Sequence, residues 1–305
     1  MRFKQLDLNL LVALDHLLAL QSVSAAADRM NMSQSAMSNA LSRLRHYFDD
    51  PLLVQVGRRM ELTPRAEAVM PAIRDILTRV EATIQTAPEF DPARSTREFR
   101  MLISDYTMSV LMPHVLSLAA HHAPNVRFQL LPQTLHPHTL LDQGEADLFL
   151  APSTVRTPDH PQDEVFEDRY VCAVWKDGKF GRSAITPEEF TQAAHVVMVP
   201  PNSAASAEAS MLGALGVDRQ IAVESFSFTA LPHLVVGTDM IATVHGHIAR
   251  LAAASLPITV HPLPFDVPTL KQGMQWHTYR STDPGLMWLR GIIVEAGRLL
   301  PPLPF

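Results

Sequence analysis

The fold of the N-terminal part of the chain is decided by residues 33–48, SQSAMSNALSRLRHYF. Ser33 can cap a helix that runs from Gln34 to about Phe48, because a serine oxygen accepts a hydrogen bond from a free backbone N–H of the first turn. One face of this helix is apolar, with Ala36, Met37, Ala40, Leu41, Leu44 and Phe48 at helical spacing. The other face carries Gln34, Ser35, Ser38, Asn39, Ser42, Arg43 and His46. The stretch therefore predicts an amphipathic helix with a polar, amide-rich outer face.

Two further helices are expected before this one. Leucines at helical spacing over residues 6–18 predict the first helix, and Ser22 can cap an alanine-rich second helix over residues 23–30. Asn31 tolerates the left-handed backbone conformation that a tight turn requires. Two short helices joined by such a turn are typical of a DNA-binding helix-turn-helix, in which Gln, Asn and Arg pair with base edges. The pattern by itself fits a solvated helix of an ordinary small bundle equally well.

The segment that follows favours DNA binding. Residues 51–62, PLLVQVGRRMEL, read as two short strands around Gly57 and Arg58. Such a hairpin would form a wing with Arg58 and Arg59 at its tip. We expect the residues that face base edges to be Gln34, Ser35, Ser38 and Asn39, and those that meet phosphate or the minor groove to be Ser33, Arg43 and Arg58.

A linker helix is expected next. Thr63 can cap it and Pro64 suits its first position. Its seam residues recur at steps of four and three, in a heptad-like pattern of Val69, Ile73, Ile76, Val80 and Thr83 or Ile84. This seam could pack on the helix's own domain or on the same helix of a second chain. Because a helix between two domains has little else to bury against, we expect it to form a homodimer.

From Phe99 onward, apolar strands alternate with helices, which is typical of an α/β domain with mainly parallel sheets. Strands are expected near 99–103, 126–131, 146–150, 165–175, 195–199, 221–225, 241–245 and 269–280, and helices include 107–122, 137–143 and 283–299. The domains predicted are a winged helix-turn-helix over 1–62, a linker helix over 63–88, a hinge over 89–98 and an effector-binding domain over 99–305. In the last, lobe one covers about 99–164 and 268–305, and lobe two covers about 165–267. Ligands of such folds bind in the cleft between lobes.

Several strings of the N-terminal part resemble the winged helix-turn-helix of LysR-type transcription regulators. They are LDLNLL at 6–11, AAA at 25–27, SQSAMS at 33–38, RLR at 43–45, DPLL at 50–53 and LTPRA at 62–66. Within that family the chain is most similar to the nodulation-gene and naphthalene/salicylate-type regulators. The resemblance implies a two-lobed effector domain similar to periplasmic binding proteins, homodimers that join into a homotetramer, activation through RNA polymerase, and an aromatic effector.

Composition and charge agree with a two-domain regulator. The 305-residue chain has a net charge of −6, but counting Lys, Arg, Asp and Glu gives +2 for residues 1–65 and −8 for the rest. The single cysteine, Cys172, excludes an internal disulfide and a cysteine-rich zinc site. No apolar run is long enough for a membrane span and no signal peptide is recognisable, so we expect a cytoplasmic protein. The sequence has no nucleotide-binding, metal-binding or hydrolase motif, so we expect no cofactor, no metal site and no enzymatic activity.

The effector cleft is expected to be rimmed by residues at strand ends and helix starts. On lobe one these are Asp105, Tyr106, Thr107, Met108, Gln133 and Thr134, and on the other side they are Asp168, Asn202, Ser203, Phe226, His245 and His247. Asp168 would repel an aromatic carboxylate, whereas His247 could share a hydrogen bond with a phenol oxygen. We therefore expect double-stranded DNA and a phenol-like effector as partners. The alternatives are a solute-binding protein, or an enzyme that uses Asp105, Tyr106 and His247 in the same cleft.

Overall fold

The computed structural model describes residues 6–57, 59–84, 89–133, 137–200 and 206–303, with the side chains of residues 81 and 82 left aside. The chain divides into two compact units, Met1–Thr86 and Ala87–Phe305. None of the helices in the described ranges combines the length and the apolar character that a membrane crossing needs.

The first unit is a small helical domain with a two-stranded wing. Its elements are α1 (Leu8–Leu20), α2 (Val23–Arg29), α3 (Gln34–Phe48), β1 (Leu53–Val56), β2 (Arg59–Leu62) and α4 (Pro64–Ile84). The predicted serine caps are present, since Ser22 accepts from the N–H of Ala25 and Ser33 from that of Ala36. Asn31 takes the left-handed conformation between α2 and α3, with φ of 53°. Strands β1 and β2 pair antiparallel.

Helix α4 divides its apolar seam between two environments. Ile73 is buried in the core of the first unit together with Ala66, and Arg74 pairs with Asp15 of α1 at 2.8 Å. In contrast, Ile76 is 41% exposed and Ile84 is 74% exposed. Ile73 was expected in the dimer seam, but it packs into the core of the helix's own domain instead.

The described residues of the second unit form two five-stranded sheets, which correspond to the two expected lobes. The first has the order β4–β3–β5–β12–β6, with β3 (Glu98–Ile103), β4 (Arg127–Pro132), β5 (Leu148–Pro152), β6 (Gln162–Asp168) and β12 (Leu270–Gln275). Its helices are α5 (Asp105–Val110), α6 (Met112–His122), α7 (Pro137–Asp142) and α12 (Pro284–Arg298). Phe99, Met101 and Leu150 are among the residues of its core.

The second sheet has the order β11–β7–β10–β8–β9. Its strands are β7 (Tyr170–Trp175), β8 (Ala194–Met198), β9 (Gln220–Ser225), β10 (Ile241–His245) and β11 (Ile258–Pro262). The helices of this lobe are α8 (Pro187–Gln192), α9 (Ala207–Ala214), α10 (Leu231–Leu234) and α11 (Gly246–Ala253). The chain crosses between the sheets at Arg169, which separates β6 from β7, and again between β11 and β12.

The structure corrects three expectations for this unit. The expected strand 165–175 is two strands in different sheets, because the chain crosses between the lobes at Arg169. The expected helix 107–122 is interrupted at Leu111, where α6 restarts with a proline in its first turn. Each sheet combines parallel with antiparallel pairs, since the crossing strands run against their neighbours.

Two glycines of α12 provide a matched test of its packing. A Cβ added at Gly297 would lie 2.5 Å from the carbonyl oxygen of Val165 in β6, whereas one at Gly291 meets no described atom within 4 Å. We expect Gly297→Ala to lower the free energy of unfolding by about 1–3 kcal/mol through overpacking. Gly291→Ala should raise it by about 0.5–1 kcal/mol because alanine favours helix. Urea unfolding measures both, and equal effects of the two substitutions would contradict the predicted close packing of α12 on β6.

Candidate functional site

The polar face of α3 is built as the sequence predicts. Met37, Ala40, Leu41 and Leu44 are buried and hold the helix against the rest of the first unit. This leaves the side chains of the opposite face exposed, and among them are Gln34, Ser35, Ser38, Asn39 and Arg43. The N–H of Ala36 donates to the Ser33 hydroxyl at 3.2 Å. The face therefore presents amide, hydroxyl and guanidinium groups together, as reading base edges requires.

Arg43 forms an ion pair with Asp7 on this surface. Its guanidinium lies 3.6 Å from the carboxylate of Asp7, and both side chains are more than half exposed. A solvent-exposed pair of this kind contributes at most about 1 kcal/mol, so it leaves Arg43 available to a phosphate. A shallow groove of about 330 Å³ between α1 and α3 is bordered by Asn39 and Arg43. The predicted contact Arg58 lies outside the described residues, whereas its neighbour Arg59 is exposed.

In the second unit, Asp168 lies at the crossing between the lobes and is fully buried. One carboxylate oxygen accepts from the N–H groups of Arg169 and Gly246 at 2.7 and 3.0 Å. The other accepts from the Tyr106 hydroxyl at 2.5 Å and from the N–H of His247 at 3.4 Å. Because Gly246 begins α11, this carboxylate occupies the positive end of the helix dipole.

An aromatic cluster surrounds this carboxylate. The ring of Tyr106 stacks on that of His245, with centroids 3.8 Å apart and planes 11° apart. Phe228 meets His245 edge to face at 4.9 Å, and Phe166 meets His247 in the same manner at 5.8 Å. The cluster joins residues of both lobes, since Tyr106 lies in the first turn of α5 and His245 ends β10.

Asp105 joins the lobes at a second point. One of its carboxylate oxygens accepts from the hydroxyl of Ser227 at 2.7 Å and from the N–H and hydroxyl of Thr229, both at 3.0 Å. Sequence reasoning placed Asp105 in the cleft but missed Ser227, Phe228 and Thr229. Their signal was the alternation of hydroxyl and aromatic side chains in SFSFT at residues 225–229.

The remaining predicted effector residues lie in different surroundings. Thr107 is buried in the first turn of α5, where its N–H donates to Ser104. Gln133 donates to the carbonyl of Leu150, Met108 is 40% exposed and Phe226 is 81% exposed. The predicted residues Thr134, Asn202 and Ser203 lie outside the described ranges.

Several of these residues were expected on the rim of an open cleft, but the structure places them in the interior. Tyr106, Thr107, Asp168, His245 and His247 are each less than 5% exposed. The reason is that the Tyr106 hydroxyl reaches across to Asp168, and this contact encloses the strand ends of both lobes. Their contact with an effector stays a prediction. In the described ranges, no three His, Cys, Asp or Glu side chains converge as a metal site would require.

Burial sets the protonation of this cluster. Desolvation raises the pKa of the Asp168 carboxyl above its usual value, although the Tyr106 hydrogen bond and the charge of His247 oppose this shift. Desolvation, assisted by repulsion from His247, lowers the pKa of His245 to about 3. In lobe two, burial likewise lowers the pKa of His195 to about 4. Both imidazoles are therefore neutral in the folded protein at neutral pH.

Neutral buried histidines make the stability of this unit sensitive to acid. Below pH 6.5 the unfolded chain takes up protons at these positions and the folded chain does not, so stability is lost as the pH falls from 6.5 toward 4. At pH 5, His245 alone should lower the free energy of unfolding by about 2 kcal/mol. His245→Phe retains the ring and should flatten the pH dependence measured by urea unfolding between pH 7.5 and 5. Exposed His233→Phe is the control, and an identical slope in both variants would refute the assignment.

Comparisons with known proteins agree with this division into units. A family model described as a bacterial regulatory helix-turn-helix protein of the lysR family matches residues 8–67. A second, described as the LysR substrate binding domain, matches residues 92–298. Together the matched regions include α3, the wing and both sheets.

Individual relatives cover nearly the whole chain. Nodulation protein D 3 of Rhizobium leguminosarum bv. phaseoli is 37% identical over 302 residues, which are 99% of this chain and 100% of that protein. The solved structure of a probable transcriptional regulator from Pseudomonas aeruginosa is 30% identical, with a TM-score of 0.64 and coverage of 95% and 97%. The structure of full-length CbnR complexed with its target DNA has a TM-score of 0.60, 17% identity and coverage of 97% and 100%, and it shows the same fold.

These matches confirm the resemblance and the fold class expected from the sequence. They also exclude the enzyme alternative, because the matched families and structures are transcriptional regulators. The chain belongs to the LysR family of transcriptional regulators.

Proposed function

We propose that this DNA-binding regulator reads its operator with α3 and the wing, and that a small neutral aromatic effector, such as a phenol, controls it by binding between the two lobes. The observation that carries the effector class is the position of Asp168. The helix N-terminus that would attract an anionic ligand is already occupied by this buried carboxylate. A ligand carboxylate nearby would meet a like charge in a site of low dielectric.

The exposed face of α3 supports the DNA part of the proposal. Gln34 and Asn39 can form two-pronged hydrogen bonds with adenine, and Ser35 and Ser38 can bond to base edges beside them. Ser33, Arg43 and Arg58 would meet phosphate or the minor groove, which fixes the position of the domain without reading sequence.

The two kinds of contact predict different mutant behaviour. Asn39→Ala, and more strongly Gln34→Ala/Asn39→Ala, should relax operator selection, because each good base contact contributes about 1–3 kcal/mol of discrimination. Arg58→Ala should instead weaken binding to all sequences alike and reduce the salt dependence. Fluorescence anisotropy with the upstream region of the protein's own coding sequence and with a scrambled duplex measures both. Unchanged selection by the double variant would remove α3 from base readout.

The free part of α4 supports assembly into a homodimer, and two dimers can join into a homotetramer through the effector domains. Ile76 and Ile84 are exposed on a helix whose residues Ala66 and Ile73 pack into the core of its own unit. Burying them against a second copy of α4 removes apolar surface from water. A dimer would place two copies of α3 on the half-sites of a pseudo-palindrome. From there the regulator would act as an activator by contacting RNA polymerase.

The effector class can be tested with a matched pair of ligands, 2-naphthol and 2-naphthoate, which differ in carrying a hydroxyl or a carboxylate. Calorimetric titration of the wild-type protein should show tighter binding of the naphthol. Asp168→Asn removes the charge. Its amide oxygen can still accept from the N–H of Gly246 and its NH2 group can donate to the Tyr106 hydroxyl, although the bond from the N–H of His247 is lost. It should therefore strengthen binding of the carboxylate roughly tenfold.

His247→Ala should weaken the naphthol specifically, since the imidazole would share a hydrogen bond with the phenol oxygen. Exposed His233→Ala is the control and should bind both ligands like the wild type. Preferential binding of the carboxylate by the wild type would overturn the proposed effector class.

A further inference from the structure

The root of the wing, residues 51–53 at the start of the hairpin, is attached to α3 by an arginine. Arg45 lies in the last turn of α3, and its Nε donates to the carbonyl oxygen of Pro51 at 2.7 Å. Its Nη2 donates to the carbonyl oxygen of Leu53 at 2.8 Å. A guanidinium holds its donors in a rigid fork, so this pair of bonds fixes both the distance and the direction of the segment that begins β1. Arg45 therefore connects α3 directly to the wing.

A second set of hydrogen bonds holds the same root from the other end of the hairpin. The Asp50 carboxylate accepts from the N–H of Leu52 at 2.7 Å and from the hydroxyl of Thr63 at 2.6 Å. The N–H of Thr63 donates to the carbonyl oxygen of Leu52 at 3.1 Å. The Thr63 hydroxyl also accepts from the N–H of Ala66 in the first turn of α4. The beginning and the end of the wing are thus tied to each other and to α4.

Leu52, at the centre of these bonds, has an unusual backbone. Its φ is +59°, in the left-handed region that side chains other than glycine rarely adopt, and the residue is fully buried. Such a conformation persists where surrounding contacts determine it, and it is found at sites whose geometry serves a function. Here both peptide groups of the residue are held, since its N–H bonds to Asp50 and its carbonyl to Thr63.

The rest of the wing has little to fix its direction. Leu53 is buried at the root, but Val54, Gln55, Val56 and Gly57 are exposed. On the returning strand, Arg59 is exposed as well, and Met60 and Leu62 are partly buried. A small rotation at the root would therefore move the tip by a much larger distance, and the side chains described there are exposed and offer little packing to oppose it.

We propose that Arg45 is a positioning residue for operator binding: it sets the angle between the wing and α3, so that the wing reaches the DNA backbone while α3 lies in the major groove. Asp50 and Thr63 maintain the same angle from the α4 side. Arg45 bonds to backbone carbonyls and contributes through the wing, without needing a contact to the DNA of its own. The inference rests on the proposed DNA contacts of α3 and the wing.

A double-mutant cycle separates positioning from direct contact and from general stability. Dissociation constants for the upstream region of the protein's own coding sequence are measured by fluorescence anisotropy at one ionic strength, for the wild type, Arg45→Lys, the wing-tip variant Arg58→Ala/Arg59→Ala, and their combination. Lysine keeps the charge but cannot donate the two forked bonds. Arg45→Lys should weaken binding roughly tenfold in the wild-type background and less than twofold in the wing-tip background. The exposed arginine of α2, in Arg29→Lys, is the matched control and should change affinity less than twofold.

Hydroxyl-radical footprints give a second readout that a loss of stability would not produce. In Arg45→Lys, hydroxyl-radical protection of the backbone at the wing's flanking positions should disappear. Backbone protection beside α3, and protection of guanine N7 in the major groove from dimethyl sulfate, should remain. Should Arg45→Lys fail to fold, Thr63→Val loosens the root from the other side and should show the same coupling to the wing tip. A tenfold loss in both backgrounds would overturn the proposal. Failure of the wild type to bind the fragment would instead count against the proposed function.

Discussion

The carboxylate of Asp168 is buried at the point where the chain passes from one lobe to the other, and its hydrogen bonds determine how the lobes meet. A buried charge without partners is so costly that the surrounding structure must supply hydrogen-bond donors. Here Gly246 and His247 supply them from lobe two, and Tyr106 supplies one from lobe one. The crossing strand, the start of α11 and the stacked rings of Tyr106 and His245 consequently occupy fixed positions relative to one carboxylate.

The two units use the same solution to a local problem of geometry. In each, a charged side chain from one element bonds to backbone groups of another: Arg45 to the carbonyls at the wing's root, and Asp168 to the N–H groups that begin α11. Bonds between a charged group and the backbone are stronger than those between neutral groups, and they are directional. They can therefore orient an exposed hairpin or a short helix that buries too little apolar surface to orient itself.

The sequence predicted those parts of the fold that depend on local patterns. The ends of α3 followed from the Ser33 cap and the apolar spacing, and the wing followed from the turn at Gly57. The division of the strand around Arg169 was not predictable in this way. Only Arg169 separates β6 from β7, and the two strands are distinguished by their partners, which are distant in sequence: β6 pairs with β12 and β7 pairs with β10. The enclosure of Tyr106 was missed for a similar reason, since its partner Asp168 lies 62 residues away in sequence. Arg45 belongs to the RLR string at 43–45, but its bonds to Pro51 and Leu53 depend on how the chain turns after α3, which the string does not indicate.

Helix α11 has eight residues, and within the described part of the chain its N-cap residue His245 makes no side-chain capping bond. Isolated helices of this length do not form in water, because nucleation fixes several residues before the first bond is gained. Its cap is instead Asp168, which is 78 residues earlier than Gly246. We therefore expect α11 to become stable only once the crossing strand is in place, and contacts of such large sequence separation slow folding. The two lobes are consequently expected to fold as one kinetic unit, so that lobe two cannot be exchanged between regulators without the strand that carries its cap.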